Sequence, residues 1–257
     1  MHLDLLYTAT GAFVGLIVGL TGVGGGSLMT PLLVLALGVH PVTAVGTDLL
    51  NAAATKAVGA LAHHRRNHVD WAIVARLSAG SVPAAALTLF ALSHLGLRAS
   101  QSSHLVTKVL GAALIITALT VFFRKALLRM RGAHKLSTRA QNGLTILVGA
   151  MIGVVVSISS VGAGAVGVTA LLLLYPGLPL LRVIGTDIAH AVPLTLVAGM
   201  GHWMIGSVDV AMLVALLCGS VPGIIAGSCL APRIPAGALR TVLAVVLLAV
   251  GFKMLSA

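Results

Sequence analysis

The chain has no glutamate and only five acidic residues, all aspartate. Charged residues of both signs make up 8% of the 257 positions, and aromatics 4%. A soluble domain is about one-quarter charged, so a water-facing surface is excluded. Without glutamate there is no H-E-x-x-H zinc-protease helix, and no G-x-S-x-G nucleophile motif is present. The two cysteines, Cys218 and Cys229, lie in or beside one apolar stretch and give neither a disulfide framework nor metal-ligand spacing. They read as packing residues. What the chain does have is apolar residues, 58% of the total, with a mean hydropathy of +1.10. This composition points to an all-α integral membrane protein.

Apolar runs of about twenty residues, enough to cross a bilayer, fall at roughly 43–62, 72–94, 105–123, 184–201, 210–230 and 239–255. Two longer stretches, about 5–37 and 144–175, are interrupted by small residues. The polar linker 124–142 carries six Lys/Arg. Residues 1–257 therefore read as one transmembrane domain: repeat 1 over 5–123, a cytoplasmic linker over 124–142 and repeat 2 over 143–257. The first stretch has no basic leader and no persuasive cleavage site, so it reads as part of the membrane body. The net charge of +11 lies largely in short loops, where it sets topology and meets anionic lipid. It implies a bilayer partner and no nucleic acid, and it can also attract a small anion.

The halves are two copies of one unit. An offset of 139 places Gly46-Thr47-Asp48 on Gly185-Thr186-Asp187, Val69-Asp70 on Val208-Asp209, and Gly80-Ser81-Val82-Pro83 on Gly219-Ser220-Val221-Pro222. From 46 to 83, 14 of 38 positions are identical, and four of the five acids fall into matched pairs. A duplicated membrane unit with a scarce acid in each copy is the pattern of a transporter. Loop charge then favours one topology. If 5–37 and 144–175 are broken pairs that enter and leave on one side, Arg65, Arg66, the six linker residues, Arg182 and Arg233 lie inside. Only Arg98 and Lys253 then lie outside, the stronger positive-inside bias of the two schemes considered. The expected fold is two inverted repeats, each a broken helix pair plus three transmembrane helices.

The first interruption reads Thr21-Gly22-Val23-Gly24-Gly25-Gly26-Ser27, and its counterpart runs from Ser157 to Ala165 through Gly162 and Gly164. Consecutive glycines weaken a helix by about 1 kcal/mol each relative to alanine. An unwound turn that opens into a helix offers free N–H groups and the positive end of a dipole to an anion. Close helix packing through small residues is the plainer alternative. Asp48 shares a helix face with Asn51 and Thr55, and Asp187 shares one with His190. Gly22, Gly24, Gly25, Gly26, Ser27, Thr47, Asp48, Asn51, Lys56, Gly162, Gly164, Thr186, Asp187 and His190 are therefore the expected substrate-binding set. Asp187, His190, His202 and His63 are the expected proton-coupling set, histidine being a ready proton carrier. Asp187–His190 reads as the exchanging pair and Asp48–Lys56 as a static one. Asp70 and Asp209 open their spans as N-caps.

These motifs resemble the TauE/SafE sulfite exporter family. The resemblance rests on the glycine-rich first stretch, Val-Gly-Thr-Asp48 with Lys56, His63-His64-Arg65-Arg66 and Val69-Asp70-Trp71. In the second half it rests on Ile-Gly-Thr-Asp187-Ile-Ala-His190, Gly201-His202, Val208-Asp209 and the following Gly-Ser-Val-Pro-Gly. It implies a multi-pass carrier of the bacterial inner membrane for sulfite, sulfonates or related anions, with no cofactor. Many relatives read Gly-Thr-Ser where this chain has Gly-Thr-Asp48, which suits a proton-binding group or a partner for Lys56. The alternative reading is a transition-metal permease using His63, His64, His68, His190 and His202 with Asp187.

Overall fold

A computed structural model describes residues 2–21, 26–94, 102–129, 137–230 and 236–256. Every regular element among them is a helix: α1 (His2–Thr21), α2 (Gly26–Leu35), α3 (Pro41–Arg65), α4 (Trp71–His94), α5 (Ser102–Arg129), α6 (Thr138–Ser159), α7 (Ala165–Leu174), α8 (Leu180–Met204), α9 (Val210–Leu230) and α10 (Ala236–Ser256). The offset of 139 carries α2 onto α7 and α3 onto α8 residue for residue. The long apolar stretch 144–175 is a broken helix, as its small residues suggest; the interruption expected in the first stretch falls on 22–25, outside the described residues.

Local sequence explains the boundaries. Pro41 opens α3 at a position where its missing N–H costs nothing. Ser137 caps α6 by accepting from the Ala140 N–H. Both α3 and α8 end in a left-handed residue, Asn67 (φ 56°) and Gly206 (φ 74°). In each case an N–H returns across the turn, His68 to the His63 carbonyl at 3.0 Å and Ser207 to His202 at 2.9 Å. Asp70 and Asp209 accept from the N–H groups of Ile73 and Met212 at 3.3 and 2.9 Å, so both are N-caps. The interruption between α6 and α7 begins at Ser160 in the left-handed region (φ 59°), then passes Gly162 at φ 120° and Gly164 at φ 143°. The last two conformations suit glycine alone.

The helices pack by exchange between the repeats. α1 lies along α9, with Gly11 against Leu216, Gly15 against Ser220 and Gly19 against Ile224, so the two run parallel. α4 lies along α6 in the same sense, with Leu77 at Gly149 and Ser81 at Gly153. Small residues let backbone meet backbone in both pairs. At the centre α3 and α8 run antiparallel: Gly46 meets His202, Leu50 meets Gly199, and Gly185 meets His63 and His68. α5 and α10 are antiparallel too, with Gly111 at Leu255 and Ile115 at Gly251.

Five helices, α4, α5, α6, α8 and α9, are long and apolar enough to cross a membrane. Outward faces are apolar, with Leu87, Phe90, Met151 and Val242 each 60% exposed or more. The expected span 43–62 is helical within α3 but is absent from those five. Its polar residues Asp48 and Asn51 face inward instead, buried among neighbouring helices. Cys218 and Cys229 lie on exposed faces of α9, not in the protein core.

Candidate functional site

The Gly-Thr-Asp motifs stand a third of the way along α3 and α8, and each residue type has its own task at the seam. The glycine admits a loop carbonyl from the opposite repeat: a Cβ on Gly46 would stand 2.6 Å from the Ser207 oxygen, and one on Gly185 would collide with the His68 oxygen. The threonine accepts a backbone N–H from the opposite repeat. Asp209 donates to Thr47 Oγ1 at 3.1 Å, and Asp70 donates to Thr186 Oγ1 at 2.9 Å. The aspartate enters the interior, Asp48 at 0% exposure and Asp187 at 2%.

The two aspartates then part company. Asp48 Oδ2 accepts from Thr30 Oγ1 of α2 at 2.6 Å and from Ser160 Oγ, at the end of α6, at 2.9 Å. Its Oδ1 is buried without a partner. Asp187 Oδ1 is likewise unpartnered and presses on Gly167, in the first turn of α7, where any Cβ would overlap it. A carboxylate at a helix amino end is favourably placed against the dipole. The threonine matching Thr30 is Thr169, which donates to its own helix at the Ala165 carbonyl, 2.8 Å away.

Lys56, expected beside Asp48, reaches across the seam instead. Its Nζ donates to the Ala163 carbonyl, inside the α6–α7 interruption, at 3.0 Å. It is partly exposed and within Coulomb range of both Asp48 and Asp187. The matching Thr195 turns back onto the Ala191 carbonyl at 2.8 Å. Asn51 and His190 hold equivalent posts. Ser220 donates to Asn51 Oδ1 at 2.9 Å, and Ser81 Oγ lies 2.8 Å from His190 Nε2. These serines, together with Thr30 and Ser160, were not among the expected site residues. The repeated Gly-Ser-Val-Pro carried the signal for Ser81 and Ser220, and Thr30 matches Thr169 at the same offset.

Of the other expected residues, Gly26 opens α2 and Ser27 is buried within it. Gly22, Gly24 and Gly25 lie outside the described residues. Gly162 and Gly164 shape the second interruption. His202 is buried, with Nε2 2.8 Å from the Ser157 carbonyl and Nδ1 unpartnered, whereas the matching His63 is half-buried beside His68. Among the described residues, no three His, Cys, Asp or Glu gather as a metal site would require.

A family profile described as "Sulfite exporter TauE/SafE" matches residues 7–254. A probable membrane transporter protein of Bacillus subtilis (strain 168), YjnA, is 36% identical over 248 residues, covering 95% of this chain and 97% of the relative. Another from the same organism, YdhB, is 27% identical over 218 residues, covering 83% and 84%. A probable membrane transporter protein of Xylella fastidiosa (strain 9a5c) is 30% identical over 117 residues, 46% of this chain and 43% of the relative. No solved structure matches the chain.

Proposed function

The chain belongs to the TauE/SafE sulfite exporter family and is a multi-pass membrane transporter, not an enzyme; from that premise we propose that it carries small sulfur-containing anions, such as sulfite or sulfonates, across a bacterial inner membrane. The observation that carries this reading is Lys56, a cation in mid-helix whose ammonium meets the interruption that opens into α7. The first N–H groups of α7 have no partner within their own helix. A cation beside them makes a place for one compact oxyanion once Asp187, whose carboxyl lies against Gly167 in that same turn, carries its proton. In this reading the anion displaces the Ala163 carbonyl from Lys56.

Alternating access follows if the repeats are inverted. The support is the antiparallel packing of both matched pairs, α3 on α8 and α5 on α10. An axis lying in the membrane plane relates matched helices in that way. α1 runs parallel to α9, and α9 runs with α3 through the Thr47–Asp209 and Asn51–Ser220 bonds, so α1 and α3 point the same way. Proton coupling through Asp187 and His190 belongs to the same proposal. Both are buried on one face of α8, and each keeps an unpartnered polar atom. Asp187→Asn is expected to retain substrate binding and lose the response of transport to a pH gradient.

The substrate class is tested by thermal protection of the purified protein. Sulfite, thiosulfate and small sulfonates should raise the midpoint, while zinc, nickel and cobalt should not. Protection by the divalent cations alone would favour the permease alternative and remove the anion reading.

A further inference from the structure

We propose that Asp48, Thr30 and Ser160 form a binding site for a sodium ion at the seam between the repeats. Three oxygen-bearing side chains converge there from three places: α2, α3 and the end of α6. Thr30 Oγ1 and Ser160 Oγ stand 2.6 and 2.9 Å from Asp48 Oδ2, and the whole cluster is buried, at 0%, 6% and 0% exposure for Thr30, Ser160 and Asp48. The independent pointer is Asp48 Oδ1, a buried carboxylate oxygen that makes no well-formed hydrogen bond, Asn51 one turn on being its polar neighbour. A buried carboxylate needs a counter-charge or a proton. Lys56 lies within Coulomb range of it but forms no direct salt bridge, its ammonium donating to the Ala163 carbonyl at 3.0 Å.

A proton is the competing occupant: on Oδ2 it would donate to Thr30 Oγ1 or Ser160 Oγ, since a hydroxyl accepts as well as donates, and Oδ1 would still lack a partner. A cation on the Oδ1 side gives that oxygen a partner and leaves both hydroxyls in place, their lone pairs available as ligands. α6 ends at Ser160, so the negative pole of that helix also faces the site. Carbonyls at the broken end of a half-helix are suitable ligands for sodium. The ligand set is all oxygen, which selects a hard cation. One carboxylate matches one positive charge, whereas a calcium site commonly uses several. The matched cluster differs: Thr169 turns away from Asp187 onto the Ala165 carbonyl, and Asp187 presses on Gly167.

The inference does not depend on the nature of the transported anion, and the test contains none. Purified protein in detergent is titrated with sodium, potassium or choline chloride at constant ionic strength, reading the thermal midpoint and equilibrium binding of ²²Na⁺. Sodium should raise the midpoint saturably and bind at one ion per chain, with potassium and choline inert. Asp48→Asn should abolish both signals, and Thr30→Val and Ser160→Gly should each weaken sodium binding by about tenfold. Glycine is chosen at Ser160 because it accepts the left-handed backbone there. Should Asp48→Asn not fold, the other two variants decide the matter. Equal midpoints in the three salts, a midpoint that follows pH and ignores sodium, or unchanged sodium affinity in the variants would overturn the proposal.

Discussion

Alanine at Gly46 and alanine at Gly59 separate two effects within one helix. Both glycines are in α3, and a Cβ at either would meet an atom of α8. A Cβ at Gly46 would lie 2.6 Å from the Ser207 carbonyl oxygen and 2.9 Å from His202 Cβ, whereas one at Gly59 would lie 3.4 Å from Ile188 Cγ2, an ordinary contact. The first approach is roughly 0.7 Å inside the closest C–H···O distance usually seen. The obstacle is backbone, so the helix must move, and overpacking of this kind costs about 1–3 kcal/mol. Both substitutions gain about 1 kcal/mol of helix propensity, which cancels when the variants are compared. Gly46→Ala should therefore be less stable than Gly59→Ala by about 1–3 kcal/mol. At about 2–4 °C per kcal/mol for a chain of this length, the midpoints should differ by several degrees. Size-exclusion recovery after heating ranks the variants even if unfolding is irreversible. Equal midpoints would refute the view that Gly46 is glycine because a carbonyl of the other repeat occupies its Cβ position.

Thr47→Val and Thr186→Val each remove the acceptor of a backbone N–H from the opposite repeat, and each should cost about 1 kcal/mol by the same recovery assay. Ser81→Ala should leave His190 with neither ring nitrogen bonded, since Nδ1 already lacks a partner; a loss of about 1–3 kcal/mol is expected, with a smaller loss if water enters. Lys135→Cys and Ser256→Cys, made after replacing the exposed Cys218 and Cys229, should label from opposite sides of intact cells; labelling from one side would contradict inverted repeats.

The internal repeat made much of the fold legible. Matching Gly46-Thr47-Asp48 to Gly185-Thr186-Asp187 implied matched helices, and α3 and α8 share their bounds at that offset. Sequence could name equivalent residues but not their partners, because partners are chosen by packing across the seam. Thr186 serves Asp70 of the other repeat, and nothing local to either residue announces it. By sequence Lys56 belongs with Asp48, two turns away on one helix, yet its long side chain reaches Ala163, 107 positions along the chain. Ser81 and Ser220 were visible as repeated residues, but a serine in an apolar helix acquires meaning only when Asn51 or His190 stands opposite. Asp70 and Asp209 were fully legible as caps, since an N-cap bond spans three residues of one segment.

The central claim is that a small sulfur oxyanion crosses this protein at Lys56. Counterflow of radiolabelled sulfite in proteoliposomes tests it most directly, with Lys56→Arg and Lys56→Gln compared against the unaltered chain. Loss of a charge-assisted contact worth about 1.5–3 kcal/mol predicts exchange reduced by roughly tenfold to a hundredfold in Lys56→Gln and partly kept in Lys56→Arg. Exchange in Lys56→Gln as fast as in the unaltered protein would contradict the account.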